Sequence, residues 1–310
     1  MLAKRFAQRS LGRRRFEMTP QQLLYRSTRV PSGRTGAALN LTPRALGWRY
    51  IHFAVRHLAP GAKWSGRTGR EERCLVLLRG RFDVRWGGTS HRVGPRADVF
   101  AGYPHAVYLP AGTPFHIAAG QACEIADCRA LASAASASRT PRLEPRIIRP
   151  EDCGYEIRGG GNATRQIVDI VPPAFPADRL LLCEVYTPGG NWSSYPPHKH
   201  DTDDPPREVD LDEVYYYRFR DTGGYGFQRL YSSRRDDTLR VVHGDLVAVR
   251  NGYHPFVTAH GYDAYYLNVL AGERRSMAAS DDPAHAKFRH EWPPPDPRVP
   301  MVSRTDVGGQ

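Results

Sequence analysis

The sequence predicts an all-β protein built as two tandem barrels, and three observations carry that prediction. Apolar residues fall in short runs cut by Gly and Pro, while helical periodicity is scarce. A small-residue stretch at 130–138, followed by a proline-spaced segment to Pro150, has little to pack and divides the chain near its middle. Each side of that divide closes a strand with a glycine-bearing turn and follows it with a histidine. The first copy is Leu109-Pro110-Ala111-Gly112 before His116, and the second is Val249-Arg250-Asn251-Gly252 before His254.

Taken in order, residues 1–35 form a basic N-terminal extension that is expected to be disordered in part. Lys4, Arg5, Arg9, Arg13, Arg14 and Arg15 lie within it, and Met18 is an alternative start. Residues 36–130 are read as a first barrel with no metal motif, with strands predicted at 73–78, 81–86 and 106–109. A linker occupies 131–153. The second barrel spans 154–292, with strands at 180–187, 213–219, 225–231, 239–242, 245–249 and 263–270, each five to eight residues or slightly less. Residues 293–310 are read as a tail, and short helices are expected at 19–24 and 276–289.

Composition narrows the function. Of 310 residues, 40% are hydrophobic and 25% charged, with a mean hydropathy of -0.54, which is a globular composition with no run resembling a membrane span. Half of the formal charge of +12 lies in the first fifteen residues, and the rest is spread over the remaining chain. No basic stripe interleaved with aromatics follows, so a nucleic-acid partner is not expected. Five cysteines without a Cys-x-x-Cys pair point away from a disulfide framework and toward a reducing cytoplasm.

The informative stretch is 194–219, SYPPHKHDTDDPPREVDLDEVYYYRF. Side chains two apart on a strand share a face, so His198 and His200 converge while Lys199 faces away. Glu213 opens the next strand, and His254 follows the Gly252 turn. Three imidazoles and a carboxylate suit one divalent ion, Zn, Mn or Fe(II), with positions left for water or substrate oxygens. Glu208, Asp210 and Asp212 are rival carboxylates. In the first half Glu71, Glu72 and His116 occur where a degenerate copy of the site would lie, but no His-x-His accompanies them.

His198-x-His200, Glu213, then Gly244, Gly252 and His254 resemble the two-part metal motif of the cupin superfamily, with an unusually long insertion after His200 and Arg250 where many cupins have proline. The segments GNATRQ (161–166), GNWSSYPPHKHD (190–201), EVYYYRF (213–219), GFQRLY (226–231), GYHP (252–255) and HGYDAYYLNVLAG (260–272) are similar to the 5-deoxy-glucuronate isomerases of myo-inositol catabolism. The resemblance implies a bicupin of two double-stranded β-helix, or jelly-roll, barrels. It also implies an aldose-to-ketose isomerisation of 5-deoxy-D-glucuronate to 5-dehydro-2-deoxy-D-gluconate, aided by one divalent metal and passing through an enediolate. No nucleotide or organic redox cofactor is expected.

Proton transfer needs a titratable group near the metal. Tyr215 and Tyr217 share a face with Glu213, and Tyr253 adjoins His254, so these are the candidates. The substrate carboxylate calls for a guanidinium, with Arg165 and Arg229 in the resembling segments, and Gln228 and Asn268 are candidate hydroxyl partners. Competing readings are another metal-dependent cupin, such as a pectin-derived uronate ketol-isomerase or an Fe(II) dioxygenase, and a non-catalytic sugar-binding barrel. The expected partner is a small sugar acid, and the expected assembly a homo-oligomer.

Overall fold

The computed structural model describes residues 23–138 and 141–304. Strand is the dominant regular structure, and the one α-helix among the described residues is the single turn Pro43–Leu46. No helix there is long and apolar enough to cross a membrane. The basic segment 4–15 lies outside the described residues.

Each half folds around a curled antiparallel sheet. In the first half the order is Arg146–Ile148, Ala106–Leu109, Glu71–Trp86, Cys123–Leu131, Ile51–Leu58, Gly36–Leu41. In the second it is Leu24–Tyr25, Leu246–Val249, Leu211–Phe219, Ala264–Gly272, Leu180–Thr187, Arg165–Val171, Tyr155–Arg158. The six strands of the first order correspond to the first six of the second, which adds Tyr155–Arg158 at its far edge; this is the duplication suggested by the repeated turn. Against the second sheet packs a four-stranded one made of Trp192–Ser193, Phe256–Thr258, Tyr225–Ser232 and Arg235–Val242. The ring of Phe256 meets Tyr217 at 5.0 Å and Tyr266 at 5.8 Å across that interior.

The outer strand of each sheet comes from chain that precedes the other barrel. Leu24–Tyr25 pairs with Leu246–Val247 in the second half, and Arg146–Ile148 pairs with Ala106–Tyr108 in the first. Residues 23–25 were expected in an extension and 146–148 in a linker, yet both complete a sheet. Residues 293–304 were expected as a tail but also pack: Val302 is buried, and Gln166 accepts from the backbone N–H groups of Met301 and Val302 at 2.7 and 3.1 Å. The expected helix at 276–289 is instead a two-residue strand, Ser280–Asp281, and a 3-10 turn, Ala286–His290.

The sheets of the two halves pack back to back. Strand alternation sends Val214 and Tyr216 toward the first half, where Tyr216 meets Phe53 at 5.5 Å. Glu213, Tyr215 and Tyr217 point the other way, into the second barrel. This is why Leu211–Phe219 is almost wholly buried and carries apolar or aromatic residues on both faces, Val214 and Tyr216 on one and Tyr215 and Tyr217 on the other. Arg96 and Glu184 cross-link the halves as a bidentate pair at 2.8 and 2.7 Å, with the Tyr186 and Tyr265 hydroxyls donating to the same carboxylate. A buried charge needs such full partnering to be tolerated.

Candidate active site in the second barrel

Two strands and a turn bring the candidate ligands together. His200, Glu213 and His254 are all buried, and their ligand atoms lie within 4.8 Å of one another. His200 Nε2 is 2.8 Å from Glu213 Oε2, and His254 Nε2 is 3.3 Å from the same oxygen. His198 falls outside that tight set but stands beside it, its ring 4.7 Å from the ring of His254 and 6.5 Å from that of His200. The strand His198–Lys199 that carries it is held by pairing with Ser280–Asp281.

The electrostatics of this group ask for a cation. His254 Nδ1 lies 3.2 Å from the Gly252 carbonyl and donates to it, which leaves Nε2 as a bare acceptor, buried without a hydrogen-bond partner and facing a carboxylate oxygen. His198 Nδ1 is likewise 3.2 Å from the Pro196 carbonyl. Burial pulls the His254 imidazole down to about 4 and that of His198 well below its usual value, so both stay neutral, as metal ligands must be. Burial also pushes the Glu213 carboxyl up, but His200, His254 and Asn268 outweigh it and hold Glu213 below its usual value.

The rival carboxylates are committed elsewhere. Glu208 accepts from Lys199 Nζ at 2.8 and 2.9 Å and from the backbone N–H groups of Asp201 and Thr202 at 2.8 Å each. Asp210 pairs with Arg49, and Asp212 accepts from the N–H groups of Arg49 and Tyr50 at 3.0 and 2.8 Å. Lys199 therefore fastens the insertion down and does not reach the ligands. In the first half, Glu72 accepts three N–H groups at the start of Leu180–Thr187 and the Tyr108 hydroxyl, while His116 is exposed against Ser65. Among the described residues no degenerate site assembles there.

A cavity of about 630 Å³ opens onto the group, with His198, His200, Glu213, Tyr215, Asn268 and Arg165 in its wall. Arg165 is buried, and its Nη1 donates only to the carbonyls of Ala163 and Tyr195, at 3.1 and 2.9 Å. No carboxylate among the described residues pairs with it, and burial pulls the guanidinium down to about 10. Asn268 hydrogen-bonds Glu213 and leaves its Oδ1 without a partner. Tyr215 stacks on Tyr266, with ring centroids 4.4 Å apart.

The other candidates lie elsewhere. Tyr217 is core, its hydroxyl donating to Gln228 Oε1. Gln228 has no free end for substrate, because its Nε2 donates to the carbonyls of His254 and Pro255 at 2.6 and 3.1 Å. Arg229 faces outward, forked onto Asp236 at 2.8 and 2.7 Å and lying over the ring of Tyr231. Tyr253 packs on Tyr231 at 5.2 Å, away from the cavity wall. Sequence reasoning missed Ser194 and Tyr266, which do line the cavity. For Tyr266 the signal available was its place two residues before Asn268 on one strand face.

The chain matches the profile of the KduI/IolB family over residues 23–288. It is 41% identical over 258 residues to a 5-deoxy-glucuronate isomerase of Geobacillus kaustophilus, covering 81% of this chain and 90% of that one. It is 39% identical over 248 residues to the protein of the same name from Bacillus subtilis strain 168, with coverages of 78% and 87%. Among solved structures, an IolB-like protein from Salmonella typhimurium superposes with a TM-score of 0.79 at 36% identity, over 86% of this chain and 98% of that one. Oxalate decarboxylase from Lactobacillus farciminis shares the fold, with a TM-score of 0.62 at 13% identity over 89% of this chain and 98% of that one. With a profile match spanning both barrels and relatives this similar over most of their length, the chain belongs to the KduI/IolB family, on an all-β bicupin fold.

Proposed function

We propose that this chain is the aldose–ketose isomerase that converts 5-deoxy-D-glucuronate to 5-dehydro-2-deoxy-D-gluconate. The observation that carries the reading is a pairing within one cavity: a metal-type donor set around Glu213 and, in the same wall, the unpaired guanidinium of Arg165. A sugar acid offers the complementary pair of groups, a carbonyl with its neighbouring hydroxyl at one end and a carboxylate at the other. The name carried by the relatives supports the same substrate.

His198, His200, Glu213 and His254 would hold one divalent ion, Zn, Mn or Fe(II), because neutral imidazoles and a carboxylate suit all three. When bound, such an ion draws electrons from a carbonyl and eases loss of the proton on the adjacent carbon. The remaining work falls to the chain. Arg165 receives the carboxylate and fixes which end of the substrate approaches the ligands. Asn268 Oδ1 accepts from a substrate hydroxyl. Tyr215, whose phenol burial pushes well above its usual value, offers an O–H to a substrate oxygen. The net change moves one hydrogen from the hydroxyl-bearing carbon to the aldehyde carbon and the hydroxyl proton from the oxygen that becomes the ketone to the former aldehyde oxygen, so atoms and electrons balance without a nucleotide or organic redox cofactor. The reading carries with it a cytoplasmic homo-oligomer of myo-inositol catabolism, and five free, buried cysteines support a reducing compartment.

Turnover in heavy water tests it. Incubation with 5-deoxy-D-glucuronate should give the 2-deoxy-keto acid with deuterium on the hydroxymethyl carbon beside the new ketone. Absence of product would overturn the function, and product without deuterium would replace proton transfer by a direct hydride shift.

A further inference from the structure

Ser194 is the one non-glycine residue with a positive φ, +51°, among the described residues. In that left-handed region a Cβ crowds the following carbonyl, and glycine is the residue that fits without strain. A serine stands there instead, directly after Ser193, whose backbone is fixed by pairing with Phe256. What the strained backbone delivers is a hydroxyl in the cavity wall. Ser194 Oγ lies 2.8 Å from the Tyr215 hydroxyl and 3.3 Å from that of Tyr266, and all three residues line the cavity.

Proton counting shows what these hydroxyls lack. Ser193 Oγ, which does not line the cavity, meets the Tyr266 hydroxyl at 2.9 Å. The open chain Ser193, Tyr266, Ser194, Tyr215 therefore contains four O–H donors and three links. Each link uses one proton, so one donor finds no acceptor within the chain, and each oxygen can accept two hydrogen bonds. Three of the four residues that carry these hydroxyls line the cavity. A hydroxylated ligand would accept the spare proton and donate in return.

We infer that Ser194 is a specificity-determining residue: with Tyr215 and Tyr266 it receives a hydroxyl of a polyhydroxylated sugar acid, and its strained backbone serves to place it. The inference rests on the sugar-acid reading of the cavity given above. A site that commits buried O–H groups to a substrate hydroxyl discriminates against analogues lacking that hydroxyl, because its own groups are then left unpaired. The rival role is structural, with the Ser194 hydroxyl merely tying the stacked rings of Tyr215 and Tyr266 together.

Three variants separate the two roles. Ser194→Gly removes the hydroxyl and relieves the strain, Ser194→Ala removes the hydroxyl alone, and Ser194→Thr keeps a hydroxyl. Thermal unfolding, calorimetric binding of 5-deoxy-D-glucuronate and its KM and kcat are measured on each and on the unaltered protein. The expected result is that Ser194→Gly unfolds at the same or a higher temperature than the unaltered protein, yet binds the sugar acid at least ~10-fold more weakly, with KM raised to match. Ser194→Ala should show the same loss of binding, and Ser194→Thr should recover part of it. A glycine variant that loses stability but keeps its binding and KM would overturn the inference in favour of the structural tie. Unaltered protein that neither binds nor turns over the sugar acid would overturn the function reading and this inference with it, an outcome distinct because the variants play no part in it.

Discussion

Arg73 of the first barrel occupies the register position that Glu213 holds in the second. Each stands opposite the last residue of a four-residue strand second from the sheet edge, Leu109 for Arg73 and Val249 for Glu213. Two residues on, Leu75 pairs with Asp127 where Tyr215 pairs with Asn268. The two halves share a strand frame and differ in what it carries. Arg73 lies 5.3 and 5.0 Å from the rings of Trp64 and Phe115 and 3.3 Å from Asp127, so a cation already fills the place where a metal-binding carboxylate would be needed. Among the described residues, the metal-type donor cluster lies in the second barrel alone.

Of the three candidate tyrosines, Tyr215, Tyr217 and Tyr253, Tyr215 alone reaches both the cavity and the Ser194 hydroxyl. Tyr215→Phe should lower kcat by at least ~10²-fold with bound metal unchanged, because it removes one hydroxyl and little packing. Tyr217→Phe and Tyr253→Phe should stay within a few-fold of the parent. Steady-state kinetics with metal analysis on each variant checks the contrast, and equal effects across the three would contradict it.

Gln228 acts on the site through His254. Its amide holds the His254 and Pro255 carbonyls, and its Oε1 accepts from Tyr217. Gln228→Leu leaves those buried groups unsatisfied, which should cost about 1–3 kcal/mol in a urea unfolding curve. Loss of a group that orients a ligand should also weaken metal affinity roughly 10–100-fold in a competition titration with a chelator. Gln228→Glu keeps one acceptor oxygen but lacks the donating NH₂, so it should rescue little.

Two N-terminal deletions should behave differently. Residues 1–17 read from the sequence as a basic extension, so on their removal fold and activity should persist. Removal of 1–27 also strips buried Leu23, the Leu24–Tyr25 pairing beside Leu246–Val249, and the Arg26 and Ser27 contacts to Asp245 and Gly244. Burial of Leu23 alone is worth ~1.5–3 kcal/mol, so the longer deletion should lower the unfolding midpoint clearly and reduce soluble yield. Similar melting curves for the two would show the edge strand to be dispensable.

Much of the fold was legible where one face of a strand tells its own story. The strands predicted at 106–109 and 180–187 match Ala106–Leu109 and Leu180–Thr187, and Glu213 was placed by alternation with Tyr215 and Tyr217. The strands predicted at 73–78 and 81–86 are one, Glu71–Trp86, because the charges of Arg79 and Arg81 mark a bulge rather than an end. There Gly80 takes a φ of +88°, and a Cβ would sit 2.3 Å from the Ala122 carbonyl oxygen. Ile51–Leu58 and Cys123–Leu131 were hidden by Arg56 and Asp127, which look solvent-seeking singly and are neutralised by each other at 2.9 Å. Alternation also forbids Gln228 and Arg229 from both facing the interior, so one of that pair had to be outside. Tyr266 could have been found from its place two residues before Asn268, whereas Ser194 was illegible, since only tertiary packing joins its hydroxyl to one 72 residues away.

The central claim is that one divalent ion, held around Glu213, is required for isomerisation of a sugar acid. The most direct measurement is metal content and turnover of 5-deoxy-D-glucuronate on one preparation, before and after stripping with a chelator and on re-addition of Zn, Mn or Fe(II). The account predicts close to one ion per chain, turnover lost on stripping and regained as one equivalent is restored, and little bound metal in Glu213→Gln or His254→Ala. Full turnover by the stripped protein, or undiminished metal in both variants, would contradict it.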